Sequence, residues 1–150
     1  MKLETIFEVV KIKQDIREIQ APFASYSIRS PHDAAELAKS YIADEDREVF
    51  LVMCLNTKNK VIGLHKAHVG SLNSCVIHPR EIFKAAILNN ACSIVVSHQH
   101  PSGDTVASRE DLEVTKNLVE AGKILGIEVL DHLIVSPTEA FNSLKSNGYM

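Results

Sequence analysis

The chain has 150 residues, of which 45% are hydrophobic and 23% are charged, and its formal net charge is −3; this balance predicts one soluble domain and excludes a disordered chain. Its three cysteines include no Cys-x-x-Cys pair, which excludes a disulfide scaffold and a cysteine-built zinc site. No apolar run has the length of a membrane span and no secretion signal opens the chain, so we expect a cytoplasmic protein.

The sequence predicts an N-terminal extension over residues 1–29 and one domain over residues 30–150. Within the extension, residues 5–12 are rich in β-branched and aromatic side chains, which predicts a strand. The domain opens with a helix, because Ser30 is a typical N-cap, Pro31 suits the first helical position and Asp33 lies three residues after the cap.

Strands and helices alternate through the rest of the domain. Residues 48–55 are almost continuously apolar, as in a strand buried on both faces, and residues 60–69 form a second strand that completes a hairpin. The remaining predicted elements are a helix opening at residues 78–81, a strand over 91–97, a helix over 108–121 that ends at Gly122, and a strand over 127–135. This order predicts an α/β fold in which helices flank a mixed β-sheet.

The most informative chemical pattern is Ser97-His98-Gln99-His100-Pro101, which is followed by Ser108 and Asp111. In an extended strand, residues two apart point to one face with Cα atoms roughly 6.5–7 Å apart, so the two histidines can converge on one ion. The loop after Pro101 can fold Asp111 back over the end of the strand. Three such ligands leave one tetrahedral position open to water, which is typical of catalytic rather than structural zinc.

Each part of this pattern also has a simpler interpretation. Two histidines at a loop edge often make ordinary hydrogen bonds, and Ser108 followed by Asp111 is typical of a helix N-cap. The joint occurrence of all the parts at a strand-to-helix junction favours a metal site, because ligands collect at the ends of sheets.

Residues 98–111 resemble the JAMM motif, His-x-His-Pro-x6-Ser-x-x-Asp, of the Jab/MPN metallopeptidases. Other stretches resemble the RadC branch of that family: Leu-Asn-Thr-Lys-Asn (55–59), Gly-Ser-Leu-Asn (70–73), His-Pro-Arg-Glu (78–81), His-Pro-Ser-Gly-Asp (100–104) and Leu-Gly-Ile-Glu-Val-Leu-Asp-His (125–132). The resemblance covers most of the chain after residue 30. It implies a mixed sheet flanked by helices, related in shape to the zinc deaminases.

The resemblance also implies roles for individual residues. His98, His100 and Asp111 correspond to the ligands of Zn²⁺. Ser108 corresponds to the serine that helps to stabilise the tetrahedral intermediate, although a single rotamer is expected to serve either that role or the helix cap. The implied function is a zinc-dependent hydrolase that acts on a peptide or isopeptide bond.

The catalytic glutamate that the resemblance implies is best matched by Glu48, which would act as general acid and base. Glu48 could instead be a solvated acid at the start of a strand. Glu81 is a competing candidate, which we interpret as the first-turn acid of the helix after Pro79.

The sequence also departs from the RadC pattern and leaves other functions open. Gln99 and Ala107 stand where that branch usually has asparagine and proline, and no helix-hairpin-helix segment is recognisable. The alternative function is a nucleic-acid-associated or scaffold module with a structural or vestigial metal site, for which residues 58–84 offer a basic surface. Base deamination is disfavoured because the sequence lacks a Pro-Cys-x-x-Cys ligand pair.

Two further interpretations concern side chains outside the motif. Asp131 and His132 resemble a catalytic pair, but neighbours in a strand point to opposite faces, which favours a structural hydrogen bond. Cys54 and Cys92 lie in apolar contexts and are expected to be core thiols.

Overall fold

The computed structural model describes residues 1–22 and 27–150. The helices and strands in chain order are α1 (Pro31–Ile42), β1 (Val49–Leu55), β2 (Val61–Val69), α2 (Pro79–Ile82), α3 (Lys84–Leu88), β3 (Ser93–Gln99), α4 (Arg109–Leu125), β4 (Glu128–Val135) and β5 (Phe141–Ser143). Within the described ranges, no helix combines the length and the apolar character needed to cross a membrane.

The strands form one mixed sheet in the order β2-β1-β3-β4-β5. β1 pairs antiparallel with β2 and with β3, and β5 pairs antiparallel with β4. β3 and β4 are parallel, because α4 carries the chain back between them. The predicted α/β fold with helices on a mixed sheet is therefore confirmed, as is the hairpin of β1 and β2.

Helices cover both faces of this sheet. Side chains alternate between the faces along a strand, so Phe50 and Val52 of β1 pack toward α4, whereas Leu51 and Met53 pack toward α1. All residues of β1 and β3 are buried, as expected for strands covered on both sides. His98 follows Val96 by two positions in β3 and therefore lies on the face covered by α4.

The prediction that α4 ends at Gly122 is wrong. The helix continues to Leu125 and ends at Gly126, whose φ of 72° is the left-handed conformation of a helix C-terminus. Gly122 instead faces β4, where a Cβ atom would lie 2.5 Å from the carbonyl oxygen of Ile127. A close approach of helix to strand, and not a helix end, requires glycine at this position.

Two other expectations are also wrong. Residues 5–12 form no strand, and their large side chains, such as Ile6, Phe7 and Val10, are exposed. A high β-propensity describes a side chain that fits a sheet, and here the segment has no sheet partner. Cys92 is exposed, whereas Cys54 is buried as predicted, and burial raises the pKa of its thiol to about 11.

Candidate metal centre

Three predicted ligands meet where the end of β3 lies against the start of α4. His98 is the last residue but one of β3, and His100 is the first residue after that strand. Asp111 is in the first turn of α4. His98 Nε2 is 3.2 Å from His100 Nε2 and 3.2 Å from Asp111 Oδ1. His100 Nε2 is also 3.2 Å from Asp111 Oδ2, so three ligand-type side chains converge on one point.

These separations fit a single metal ion. In a tetrahedron, ligands bonded to zinc at about 2.0–2.1 Å lie about 3.3 Å from one another, close to the separations between these three side chains. Two imidazole nitrogens and a carboxylate oxygen are also donors that zinc accepts. The group of His98, His100 and Asp111 could therefore hold a metal ion.

The carboxylate of Asp111 takes part in a helix cap as well. The N–H of Ser108 donates to Asp111 Oδ2 at 2.9 Å, and the N–H of Asp111 donates to Ser108 Oγ at 3.0 Å, which forms a capping box. Burial alone would raise the pKa of the Asp111 carboxyl, but the hydrogen bond and charge of His98 and the N–H of Ser108 lower this pKa below its usual range.

Ser108 is thus confirmed as the helix cap. The Ser108 hydroxyl uses a lone pair to accept the Asp111 N–H, and its own hydrogen remains able to donate. Accepting the capping bond therefore does not by itself use the hydroxyl hydrogen.

Aromatic rings pack against the buried side of the three ligands. The ring of Phe50 stacks against His98 with 6.3 Å between centroids, and it meets His132 edge-on at 5.5 Å. His98 and His132 are completely buried, and Asp111 is almost so. Electrostatic interactions are stronger in such a water-poor environment than at the surface, so the positions of polar atoms matter more here.

His132 is a residue of this site that sequence reasoning missed. Asp131 has the structural role predicted for it: its carboxylate accepts the backbone N–H of His132 at 2.7 Å and the hydroxyl of Ser143 at 2.6 Å. The imidazole of His132, however, lies with its Nε2 2.7 Å from His98 Nδ1, and burial lowers its pKa well below the ordinary value. This contact depends on the parallel register of β3 and β4, which no local pattern reveals.

Glu48 lies immediately before β1, and its placement differs from that of the ligands. Its Oε2 accepts the backbone N–H of Leu72 at 2.9 Å, and its carbonyl oxygen accepts the N–H of Gly70 at 2.8 Å. The Glu48 carboxylate does not belong to the group of converging ligand atoms among the described residues. The structure thus brings His98, His100, Asp111 and Ser108 together, and it holds Glu48 against the backbone of Gly70 and Leu72.

Gln99 holds the segment that contains Glu48. It lies between the two histidines, and its Oε1 accepts the N–H of Val49 at 2.9 Å while its Nε2 donates to the carbonyls of Glu45 and Arg47. These bonds clamp the backbone on both sides of Glu48. In the sequence, Gln99 is recognisable only as a departure from the family pattern. Its role is not visible there, because its hydrogen bonds join segments that are far apart in the chain.

The competing candidates have other partners. Glu81 lies in the first turn of α2, as predicted, and accepts Lys84 Nζ at 2.9 Å. In the basic stretch over residues 58–84, Lys66 pairs with Glu45, while Arg80 and Lys84 pair with Glu81. These ion pairs reduce the positive charge available to a nucleic acid.

Comparisons with known proteins support the resemblance seen in the sequence. A family model described as "RadC-like JAB domain" matches residues 28–149. A UPF0758 protein of Desulforamulus reducens is 51% identical over 121 residues, which are 81% of this chain and 53% of that protein. UPF0758 proteins of Caldanaerobacter subterraneus subsp. tengcongensis and Bacillus cereus strain AH187 are 50% and 51% identical over 125 residues, which are 83% of this chain and 53% and 55% of those proteins. The chain spans about half the length of these curated relatives, and their names state no activity.

Proposed function

The chain belongs to the RadC-like JAB family, and from that premise we propose that it is a zinc-dependent hydrolase of peptide or isopeptide bonds. The observation that carries this proposal is the convergence of His98, His100 and the Asp111 carboxylate at separations of 3.2 Å. Zinc held by these residues supplies a Lewis acid that polarises a carbonyl group and makes water easier to deprotonate.

Glu48 is the proposed general acid and base. It accepts the proton that the attacking water loses and returns it to the leaving amine. Two features support this role. Phe50, two positions along the chain, stacks on His98, and side chains two apart in an extended chain point to the same side, which supports a position of Glu48 on the side of the ligands. The antiparallel pairing of β1 with β3 ends at Leu51 and Ser97, and the same register continued by three residues would bring Glu48 opposite His100.

Ser108 is the proposed donor to the oxyanion that develops on the substrate carbonyl. Its hydroxyl hydrogen remains available for donation, because the capping bond from Asp111 uses only a lone pair. Its position is fixed by the reciprocal capping bonds, which reduces the freedom of the hydroxyl before substrate arrives.

Cleavage of defined substrates tests this function. Zinc-loaded chain is incubated with a library of synthetic peptides and lysine isopeptide conjugates, and products are followed by mass spectrometry. We expect zinc-dependent cleavage that falls by about 10²–10⁴ in Glu48→Gln, the range for loss of a general acid–base group, while zinc content is unchanged.

Glu81→Gln is the matched control, because it removes an exposed acid that pairs with Lys84, and it should cleave like the original chain. Full cleavage by Glu48→Gln would remove Glu48 from the mechanism. Failure of the zinc-loaded chain to cleave any substrate in the library would contradict the proposed activity. Salt-dependent DNA binding that is unaffected by His100→Ala would instead favour the nucleic-acid-associated module.

A further inference from the structure

A short relay of hydrogen bonds lies behind His98, on the Nδ1 edge of its ring. His98 Nδ1 is 2.7 Å from His132 Nε2, and His132 Nδ1 is 2.5 Å from Thr115 Oγ1. The Thr115 hydroxyl in turn donates to the carbonyl oxygen of Asp111 at 2.8 Å. His98, His132 and Thr115 are all fully buried, so their polar atoms depend on one another rather than on water.

The direction of every bond in this relay follows from its far end. A carbonyl oxygen can only accept, so the single hydroxyl hydrogen of Thr115 points to Asp111. Thr115 Oγ1 must therefore accept from His132, whose Nδ1 carries a hydrogen. In a neutral imidazole the other nitrogen is an acceptor, so His132 Nε2 accepts from His98 Nδ1.

The same direction determines what His98 presents to a metal. When the His98 ring is neutral, a hydrogen on Nδ1 leaves the lone pair on Nε2, the atom that converges with His100 and Asp111. A single hydrogen bond fixes the same tautomer of His100. Its Nδ1 lies 2.8 Å from the carbonyl oxygen of Asp104, which can only accept, so Nδ1 carries the hydrogen. Both histidines are thus oriented to ligate through Nε2.

We infer that Thr115 and His132 are positioning residues that hold a proton on His98 Nδ1 and thereby direct the Nε2 lone pair toward the metal. This inference rests on the proposed metal site. The relay starts at one ligand, His98, and ends at the backbone of another, Asp111, so it couples β3, β4 and α4 around the same ion. A partner that fixes the ligating tautomer of histidine raises metal affinity, and loss of such a partner typically lowers that affinity about 10–100-fold.

Histidine tautomers in the original chain provide the first test. Two-bond ¹⁵N–¹H NMR spectra, assigned by comparison with His132→Gln and His100→Ala, report which ring nitrogen carries the hydrogen. We expect hydrogen on Nδ1 of both His98 and His132 in the zinc-free chain, and on Nδ1 of His98 in the zinc-loaded chain. A His98 ring without hydrogen on Nδ1 would overturn the inference.

Variants of Thr115 provide the second test. Thr115→Val keeps the shape of the side chain and removes the hydroxyl, whereas Thr115→Ser keeps the hydroxyl. By competition against a chelator, we expect zinc affinity to fall about 10–100-fold in Thr115→Val and to remain near the original value in Thr115→Ser. Equal zinc affinity in all three proteins would contradict a positioning role.

The two tests separate this inference from the proposed function. If the original chain took up no zinc, the proposed function would fail, while the tautomers of the zinc-free chain would still decide the direction of the relay. If Thr115→Val did not fold, as seen by circular dichroism, the NMR result on the original chain would decide.

Discussion

Two groups of three ligand-type side chains have similar chemistry but very different surroundings. His98, His100 and Asp111 lie where the end of β3 meets α4, whereas the second group is on the surface and consists of His32 and Glu36 of α1 with Glu139. The first group is largely buried. In the second, Lys39 Nζ already lies 3.1 Å from Glu139, and His32 is 3.8 Å from Glu36.

The two groups differ in how much ordering a metal ion would have to impose on them. Exposed side chains must lose conformational freedom before they converge, and their charges are screened by water and salt. The buried ligands are held in advance by Asp104, Ser108 and His132, so little ordering is left for the metal to impose. We therefore expect only the buried group to bind zinc.

Removing one histidine from each group should give the largest difference in zinc affinity. His100→Ala leaves two ligands and should lower zinc affinity more than about 100-fold, beyond the effect of losing an outer partner. His32→Ala should leave zinc affinity unchanged. Calorimetry with both variants measures the difference, and equal losses would show that the surface group also contributes to binding.

Substitution of a glycine in α4 should have the next largest effect, which is on the free energy of unfolding. Gly122→Ala would place a methyl group 2.5 Å from the carbonyl oxygen of Ile127, so we expect it to lower the free energy of unfolding by about 1–3 kcal/mol. Gly126→Ala, in open space but at φ 72°, should cost about 1 kcal/mol. Urea denaturation compares the two, and a neutral Gly122→Ala would refute the close contact of α4 with β4.

Removal of the N-cap serines of α1 and α4 should have the smallest effect on the free energy of unfolding, and only one of the two changes should also affect zinc affinity. Ser30 Oγ accepts the N–H of Asp33 at 3.3 Å, and Ser108 Oγ accepts that of Asp111 at 3.0 Å. Ser30→Ala and Ser108→Ala should each lower the free energy of unfolding by about 1 kcal/mol. Only Ser108→Ala should also weaken zinc binding, because its cap holds a ligand. Similar zinc affinities in the two variants would mean that the cap does not position Asp111.

The sequence was most informative where structure depends on local chemistry. Ser30 and Pro31 predicted the start of α1, the apolar run of residues 48–55 predicted β1, and the motif around His98 predicted the converging ligands. In each case the determining residues lie close together in the chain.

The parts that the sequence did not predict depend on contacts between distant segments. Residues 5–12 have strand-forming side chains but no sheet partner. Gly122 reflects the approach of α4 to Ile127, and His132 reaches His98 only through the register of two parallel strands. None of these contacts leaves a local pattern in the sequence.

The zinc content of the purified chain tests the central claim most directly. The chain is prepared without chelator, its metal is measured by elemental analysis, and metal-stripped chain is titrated with micromolar zinc in a calorimeter. The account predicts about one zinc per chain, bound through His98, His100 and Asp111 and lost in His100→Ala. A chain that contains no zinc and takes up none in the titration would contradict it.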